Sequence, residues 1–305
     1  MKNRGGKKHT SFKIFVLVLC CLTTIMTCAV QGAYVDVVDG LSPLGYWRLG
    51  ESSGGTATDR AGSYNGAYTG GVNLGAAGAL SGDSDTAVDF DGFDDAIEIG
   101  PSVDLLLTGN LSVSFWFNAD TFPSGASSEP LFTLTADAAT SGTAKLAELA
   151  IDKNGDIVYT HEYGDQGSND ETHTFDTANL SFDTWYNIAL IRDSSSKDVY
   201  LYKDNSLLDT YSYAEQPEGY TEATLYIGGY LGSSFDGSMD EFAVFSSILT
   251  SQDVADIYNA ATVPEPATVC LLGLGAFFFR KKRRAHMLLI ASVSVQNIHH
   301  FLITS

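Results

Sequence analysis

The stretch Leu225–Ala261, LYIGGYLGSSFDGSMDEFAVFSSILTSQDVADIYNAA, combines two strand patterns and one helix pattern. TLYIGGY (Thr224–Tyr230) and MDEFAVF (Met239–Phe245) alternate between apolar and polar residues, which is the period of a strand with one buried face. In SQDVADIYNAA (Ser251–Ala261) the apolar residues recur at i, i+3 and i+4, so we expect a short helix after the second strand.

The same alternation recurs through the middle of the chain, in Ala87–Gly92, Ala96–Gly100, Leu111–Ala119, Trp185–Asp193 and Asp198–Asp204. The pairs Asn154-Gly155 and Asp204-Asn205 predict tight hairpins, and Gly92 predicts another turn between two strands. Many short strands in one region predict an all-β fold, a two-sheet antiparallel sandwich with a short helix near the C-terminal end of the domain.

Charge divides the chain into three parts. Residues 34–263 contain 36 acidic and seven basic residues, a formal charge of −29, whereas residues 1–33 contain five basic residues and no acid. The tail from Pro264 contains five basic residues and one acid. Nucleic acid is therefore disfavoured as a partner of the middle part, because phosphate contacts need Lys and Arg. The carboxylates instead suit hard cations such as calcium.

Residues 1–33 have the features of a secretory signal peptide. Lys7, Lys8 and Lys13 precede the apolar run Ile14–Leu22, and small residues follow. An uncleaved anchor and a lipoprotein attached through Cys28 are the alternatives. All four cysteines lie outside residues 34–263, so this part of the chain has no disulfide and no thiol chemistry.

The order of these segments resembles a laminin-G-like, concanavalin A-like jelly-roll domain. Gly45–Val72 is similar to the start of that domain, Leu111–Ala119 to its central aromatic strand, and DTWYNIALIRD (Asp183–Asp193) to its Trp-containing strand. Leu225–Ala261 is similar to its closing pattern of a Gly-rich strand, an Asp-Glu strand and a helix. The resemblance implies one jelly-roll domain over residues 34–262.

Domains of this family often bind calcium, so the resemblance implies a calcium site. We predict as its ligands Asp91 and Asp94 of DFDGFDD, together with Asp240. The alternative is that these acids cap turns and face solvent. The segment DKNGD (Asp152–Asp156) looks like the start of an EF-hand loop, but its glycine comes two positions too early, so a hairpin is predicted there.

Catalytic patterns are weak in this sequence. Some enzymes with this fold use carboxylates in an E-x-D-x-x-E run, and Glu148 with Asp152 has no third carboxylate to complete it. His161 and His173 flank a polar segment, and no G-x-S-x-G motif is present. We therefore predict a binding protein that recognises carbohydrate or another surface protein. The alternatives are a polysaccharide-acting hydrolase or lyase, or a purely structural matrix protein.

Aromatic residues have two predicted roles. Each of the three tryptophans lies in an alternating segment, which predicts a core position. Tyr211, Tyr213 and Tyr220 lie in a polar stretch and are candidates for surface contacts.

The segment VPEPATVCLLGLGAFFFRKKRR (Val263–Arg284) resembles the PEP-CTERM sorting signal. Its apolar run has only 11 residues, whereas a membrane span needs about 20. The resemblance implies transient membrane association and processing by an exosortase-like enzyme, with delivery to the cell surface or matrix of a Gram-negative-type bacterium. A plain tail anchor is the alternative. The motif residues are Pro264, Glu265, Pro266, Arg280, Arg283 and Arg284.

Residues 285–305 continue past the basic cluster, where such signals normally end. Translation past the true stop, a frameshift and an extra element are the three interpretations of this tail.

Overall fold

The computed structural model describes residues 34–262 except 103, 106, 126–127, 138–142, 164–168, 177–179 and 218–220. The predicted signal peptide and the sorting residues Pro264 to Arg284 lie outside the described residues. Two helices are described, α1 (Tyr34–Gly40) and α2 (Ser251–Thr262).

The described strands in chain order are β1 (Gly45–Trp47), β2 (Thr56–Ala57), β3 (Gly66–Thr69), β4 (Asn73–Ala77), β5 (Thr86–Asp91), β6 (Ala96–Ser102), β7 (Leu111–Ala119), β8 (Glu129–Asp137), β9 (Thr143–Ile151), β10 (Ile157–Tyr163), β11 (Asn169–Phe175), β12 (Tyr186–Asp193), β13 (Asp198–Lys203), β14 (Ser206–Ser212), β15 (Ala223–Ile227), β16 (Gly229–Tyr230), β17 (Ser233–Ser234) and β18 (Asp236–Phe245).

These strands form two eight-stranded antiparallel sheets and a small hairpin, β16–β17. Sheet A has the order β14-β13-β12-β7-β18-β5-β4, and β1 also pairs with β18. Sheet B has the order β11-β10-β9-β8-β15-β6-β3-β2. The predicted all-β, two-sheet sandwich is confirmed.

The main core lies between the two sheets. Strand β7 is buried on both faces because Phe115 and Phe117 point to sheet B while Trp116 points away from it. The Phe115 ring stacks on Phe242 with 5.2 Å between centroids and meets Phe132 edge-on at 6.3 Å. Aromatic contacts of this geometry add to the burial of apolar area, and they connect three strands across the sandwich.

A second apolar cluster lies on the outer face of sheet A, beneath both helices. Val254, Ile257 and Ala261 of the predicted C-terminal helix are buried there. Thr250 caps this helix, because its hydroxyl accepts the N–H of Asp253 while the Asp253 carboxylate accepts the N–H of Thr250. The helix prediction is therefore confirmed.

The aromatic predictions are confirmed in part. Trp47 and Trp116 are buried, and Trp185 is half-buried against the outer cluster. Tyr213 is buried in the main core, so the prediction of a surface role is wrong for it. A polar neighbourhood in sequence does not reveal that Tyr211 and Tyr213 lie on the inward side, half-buried and buried, with the exposed Ser212 between them. Tyr220 lies outside the described residues.

Hairpins are confirmed at the two predicted turn pairs, and the predicted turn at Gly92 joins strands of different sheets. Gly155 has φ 81°, and Asp204 and Asn205 have φ 49° and 65°, as tight hairpins between neighbouring strands require. The turn after Asp91 is different, because β5 belongs to sheet A and β6 to sheet B. The chain crosses between the sheets at Gly92, and strand periodicity alone does not distinguish a crossing from a hairpin.

Side chains join β11, at one edge of sheet B, to β14, at the edge of sheet A. The Tyr211 hydroxyl donates to Glu171 Oε2 at 2.9 Å, and the His173 ring stacks on Tyr211 at 4.5 Å between centroids. Nε2 of His173 lies 3.2 Å from Asp209 Oδ2. We call these four residues the edge clasp.

His161 is buried, and its Nε2 is 2.8 Å from the carbonyl of Glu215.

Arg192 is a fully buried cation of β12 that connects the sheets through neutral acceptors. Its Nη1 donates to the carbonyl of Leu146 at 2.6 Å and to the Tyr159 hydroxyl at 3.2 Å. Its Nε donates to the carbonyl of Gly109 at 2.9 Å, and Nη2 donates to the carbonyl of Leu107. The guanidinium therefore satisfies three backbone carbonyls, and its bonds to those of Leu146 and Leu107 are buried.

We predict that Arg192→Met lowers the free energy of unfolding by about 3 kcal/mol or more, because each abandoned buried carbonyl costs roughly 1–3 kcal/mol. Urea unfolding followed by tryptophan fluorescence measures this loss. The exposed Lys153→Met is the matched control and is expected to stay within about 0.5 kcal/mol of the parent protein. Equal stability of the two variants would contradict a structural role for Arg192.

Candidate functional site

The turn between β5 and β6 brings three carboxylates together. Asp91, Asp94 and Asp95 each offer an oxygen, and these atoms lie within 4.8 Å of one another. The N–H of Asp91 donates to Asp95 Oδ2 at 3.0 Å, and the N–H of Phe93 donates to Asp91 Oδ1 at 2.9 Å. Gly92 has φ 74°, which the tight crossing requires. We call residues 91–95 the carboxylate turn.

Asp95 distinguishes this turn from an ordinary acidic loop. It is only 2% exposed, and among the described residues its Oδ1 has no hydrogen-bond partner. Burial raises the pKa of Asp95, and the charges of Asp91 and Asp94 add to the increase. Buried polar atoms are nearly always paired, so an unpaired oxygen here needs an explanation. A bound cation would pair it, because calcium takes carboxylate oxygens as ligands.

Further acids surround the carboxylate turn. Asp236 lies opposite Asp91 in the sheet and accepts the hydroxyl of Thr121. Asp89 accepts the hydroxyl of Ser238 at 3.0 Å. Burial raises the pKa of Asp120, as do the charges of Asp89 and Asp236. A divalent cation at this edge would relieve the repulsion between these groups.

Two exposed apolar side chains lie beside the carboxylate turn. Phe93, inside the turn, is 73% exposed, and Leu231, at the tip of the β16–β17 hairpin, is 84% exposed. The hairpin packs directly on the turn, since a Cβ placed on Gly229 would lie 2.0 Å from the carbonyl oxygen of Asp95. Exposed apolar groups beside polar ones are typical of binding surfaces.

The sequence prediction of the metal ligands agrees with this geometry in part. Asp91 and Asp94 lie together, and the third carboxylate beside them is Asp95. Asp240 lies elsewhere, on the outer face of sheet A, where its Oδ2 accepts the N–H of Ala79 at 2.8 Å. The structure does not bring Asp240 together with the turn. Whether calcium binds stays a prediction.

Asp240 and its neighbour Glu241 are both buried where β18 has a bulge. Glu241 accepts hydrogen bonds from Arg48, at 3.0 Å from Nε and 2.7 Å from Nη2, and from the hydroxyl of Tyr46. Burial raises the pKa of Glu241 to about 6, although Arg48 opposes the increase. Burial and the charge of Glu241 also raise the pKa of Asp240.

Comparison with protein families decides the classification. A laminin G model described as the concanavalin A-like lectin/glucanases superfamily matches residues 90–255, more than half of the chain. The chain belongs to this superfamily. A model of the PEP-CTERM protein-sorting motif matches residues 262–284. A search of curated protein sequences finds no match.

Solved structures with a similar fold have low sequence identity to this chain. A Trypanosoma rangeli sialidase is similar with a TM-score of 0.54 and 14% identity, covering 71% of this chain and 32% of the sialidase. The binding domain of botulinum neurotoxin serotype D is similar with a TM-score of 0.52 and 16% identity, covering 72% of this chain and 51% of that domain. The chain therefore spans about a third and about half of these two structures, and the likeness concerns the fold.

The sorting motif indicates export through the membrane to the cell surface of a Gram-negative-type bacterium, with processing by exosortase-like machinery. Among the described residues, no helix has both the length and the apolar character that crossing a bilayer requires.

We predict that Asp94→Asn weakens calcium binding at least about tenfold, because it removes a charged ligand from the carboxylate turn without changing side-chain volume. Isothermal titration of the full chain with calcium chloride measures the affinity. Asp36→Asn changes an exposed aspartate of α1 and is expected to bind like the parent. Equal affinity of Asp94→Asn and the parent would contradict a site at the turn.

We predict that the protein loses stability as the pH rises from about 4.5 to 6. The pKa of Glu241 is about 6 when folded, above its ordinary value of 4.5, so the folded state binds more protons in this window. This difference corresponds to about 2 kcal/mol. Asp240 changes stability in the same direction.

Urea unfolding at pH 4.5 and pH 7 checks this dependence. Glu241→Gln cannot ionise, so the decrease in stability between the two pH values is expected to be about 2 kcal/mol smaller than in the parent. An identical decrease in both proteins would show that Glu241 does not titrate in this range.

Proposed function

We propose that the chain is an exported protein of the cell surface or extracellular matrix that binds carbohydrate, or another surface protein, through the calcium-loaded carboxylate turn. In this proposal the function is recognition, without catalysis. Residues 34–262 form the working domain, residues 1–33 direct export, and residues 263–284 are removed by an exosortase-like enzyme.

The observation that carries this proposal is the buried Oδ1 of Asp95, which has no hydrogen-bond partner among the described residues and lies with Asp91 and Asp94 in one turn. Calcium takes six to eight oxygen ligands, and three aspartates fill only part of that number. The remaining positions are open to water or to a ligand's hydroxyl or carboxylate oxygens. The ion would therefore order the turn and also contact the ligand.

Carbohydrate fits the surroundings of the turn for two reasons. Neighbouring hydroxyls of a sugar are hard oxygen donors of the type that calcium prefers. The exposed ring of Phe93 offers an apolar face on which the C–H side of a sugar ring can pack. Because the domain is strongly acidic, a bound cation would also reduce repulsion of an anionic glycan.

Hydrolysis of polysaccharide is a second candidate function, and one arrangement on sheet B favours it. Lys145 Nζ lies 2.7 Å from Glu148 Oε1, and the N–H of Lys145 donates to Glu162 Oε2 at 3.1 Å. Burial raises the pKa of Glu162. Acid–base hydrolysis of a glycoside uses a pair of carboxyl groups, and Glu148 and Glu162 both contact Lys145. Asp152, which the sequence paired with Glu148, instead closes the β9–β10 turn by accepting the N–H of Asn154.

Reducing-sugar release from purified polysaccharides tests this second candidate. Activity that Glu162→Gln abolishes would establish a hydrolase, whereas an inactive parent protein leaves recognition as the better function.

For recognition, we predict that immobilised glycans bind the full chain in calcium and release it in EDTA. Asp94→Asn is expected to lose both calcium and glycan, because the ion is part of the binding surface. Phe93→Ser is expected to keep calcium affinity and to bind glycan at least about tenfold more weakly, because it removes only the apolar contact. Calcium titration and glycan-array binding measure the two effects separately.

Ile248→Ser removes another exposed apolar side chain and serves as the control. Glycan binding that persists in EDTA and in Asp94→Asn would contradict recognition at the carboxylate turn. Absence of binding to any glycan or surface extract would favour the purely structural matrix protein.

A further inference from the structure

A pocket of about 400 Å³ opens near the start of strand β5. Asp85, which lines it, directly precedes this strand, whereas Asp91 of the carboxylate turn ends it. Six residues of strand therefore separate the two places by about 20 Å. The lining residues are Arg48, Gly50, Glu51, Thr58, Arg60 and Asp85.

The polar groups of this pocket are held in fixed positions. Glu51 Oε1 accepts the N–H of Thr58 at 2.8 Å, and Glu51 Oε2 accepts the hydroxyl of Tyr68 at 2.7 Å. Gly50 is required for the position of Asp85, because a Cβ at Gly50 would lie 1.8 Å from Asp85 Oδ1. Such preorganisation lowers the entropy cost of binding a small ligand.

Hydrogen-bonding capacity remains in the pocket after these contacts. Asp85 Oδ2 is a buried atom 3.0 Å from Arg48 Nη2, while 19% of the Asp85 side chain remains exposed. The Arg60 side chain is 45% exposed, and its contacts with Asp39 use Nε and Nη2. A guanidinium has five N–H donors, so Arg60 keeps donors for a ligand, and Asp85 lines the pocket with a carboxylate that can accept.

The charges around the pocket select the ligand class. Glu51 and Asp85 line it, Asp83 lies 2.9 Å from Arg48, and Asp39 lies 2.8 Å from Arg60. Glu241 also lies 2.7 Å from Arg48, so five carboxylates stand against two guanidinium groups and an anionic ligand is repelled. A neutral ligand that carries many hydroxyls can donate to the carboxylates and accept from the guanidinium groups. The volume lies at the small end of ligand pockets, which suits one or two sugar rings.

We propose that this pocket binds one or two residues of a neutral glycan without calcium. Arg60 and Thr58 donate to ring and hydroxyl oxygens, and Asp85 accepts a hydroxyl proton. The inference rests on the proposed function in one respect, that the domain recognises carbohydrate, and it adds a second subsite with its own ligand class.

The test is a titration of the full chain in EDTA with the neutral trisaccharides cellotriose, xylotriose, maltotriose and mannotriose, with trigalacturonic acid as the anionic comparison. Isothermal titration measures the affinity. At least one neutral trisaccharide is expected to bind, and Arg60→Ala is expected to weaken it at least about tenfold. Trigalacturonic acid is expected not to bind.

Asp39→Asn is the matched control, because it breaks the same ion pair as Arg60→Ala but keeps the guanidinium in the pocket. It is expected to bind within about twofold of the parent, and Asp94→Asn likewise. Exposed ion pairs contribute little stability, so both variants of this pair are expected to fold. Circular dichroism and the midpoint of urea unfolding check that expectation.

The outcomes separate this inference from the proposed function. Glycan binding that needs calcium, is lost in Asp94→Asn and is kept in Arg60→Ala overturns the pocket and leaves recognition at the turn intact. Arg60-dependent binding of trigalacturonic acid alone overturns the neutral ligand class. Failure of every trisaccharide to bind in EDTA overturns the pocket, and failure of all glycans and surface extracts to bind in calcium overturns the proposed function as well.

Discussion

The ion pair between the half-buried Arg48 and the fully buried Glu241 is the constraint on which the arrangement of the sandwich around β18 depends. Glu241 has φ 56° at the bulge of β18, and its carboxylate is fully buried. Removing one partner of such a pair leaves an uncompensated charge, which costs about 3–5 kcal/mol. Strand β18 is hydrogen-bonded to β1, β5 and β7. The Arg48–Glu241 ion pair therefore fixes the strand that joins the first segment of the domain to the last. Arg48 also lines the pocket and lies within 3.0 Å of Asp83 and Asp85, so its position sets the shape of that pocket.

Much of the fold could be predicted from the sequence because it depends on local pattern. Alternation in Leu111–Ala119 and Met239–Phe245 marks two strands, and the turn pairs at Asn154 and Asp204 mark hairpins. The sheet to which each strand belongs could not be predicted. Strand periodicity is the same whether the chain turns back in a hairpin or crosses to the other sheet, as it does at Gly92. The burial of Asp240 beside Glu241 also violates simple alternation, since it depends on a bulge that only the paired strand reveals.

The candidate sites also contain features that the sequence predicts and features that only the fold creates. Asp91 and Asp94 are close in sequence, so their proximity in space could be predicted, whereas the burial of Asp95 depends on the β16–β17 hairpin packed against it. Asp240 came from resemblance, and the structure places it on a different face. The pocket had no sequence signal, because Arg48, Thr58 and Asp85 belong to three segments that only the folded sheets bring together.

The edge clasp has a consequence for how the protein behaves at high concentration. Strands β11 and β14 end their sheets, and an unprotected terminal strand is a template onto which another chain can add. Between these two terminal strands, Glu171 accepts the N–H groups of Ala214 and Glu215. The stacked rings of His173, on β11, and Tyr211, on β14, cover the same side of the sandwich. The domain, which has no cysteine to form a disulfide, is thereby protected from strand addition and amyloid-like growth along this side.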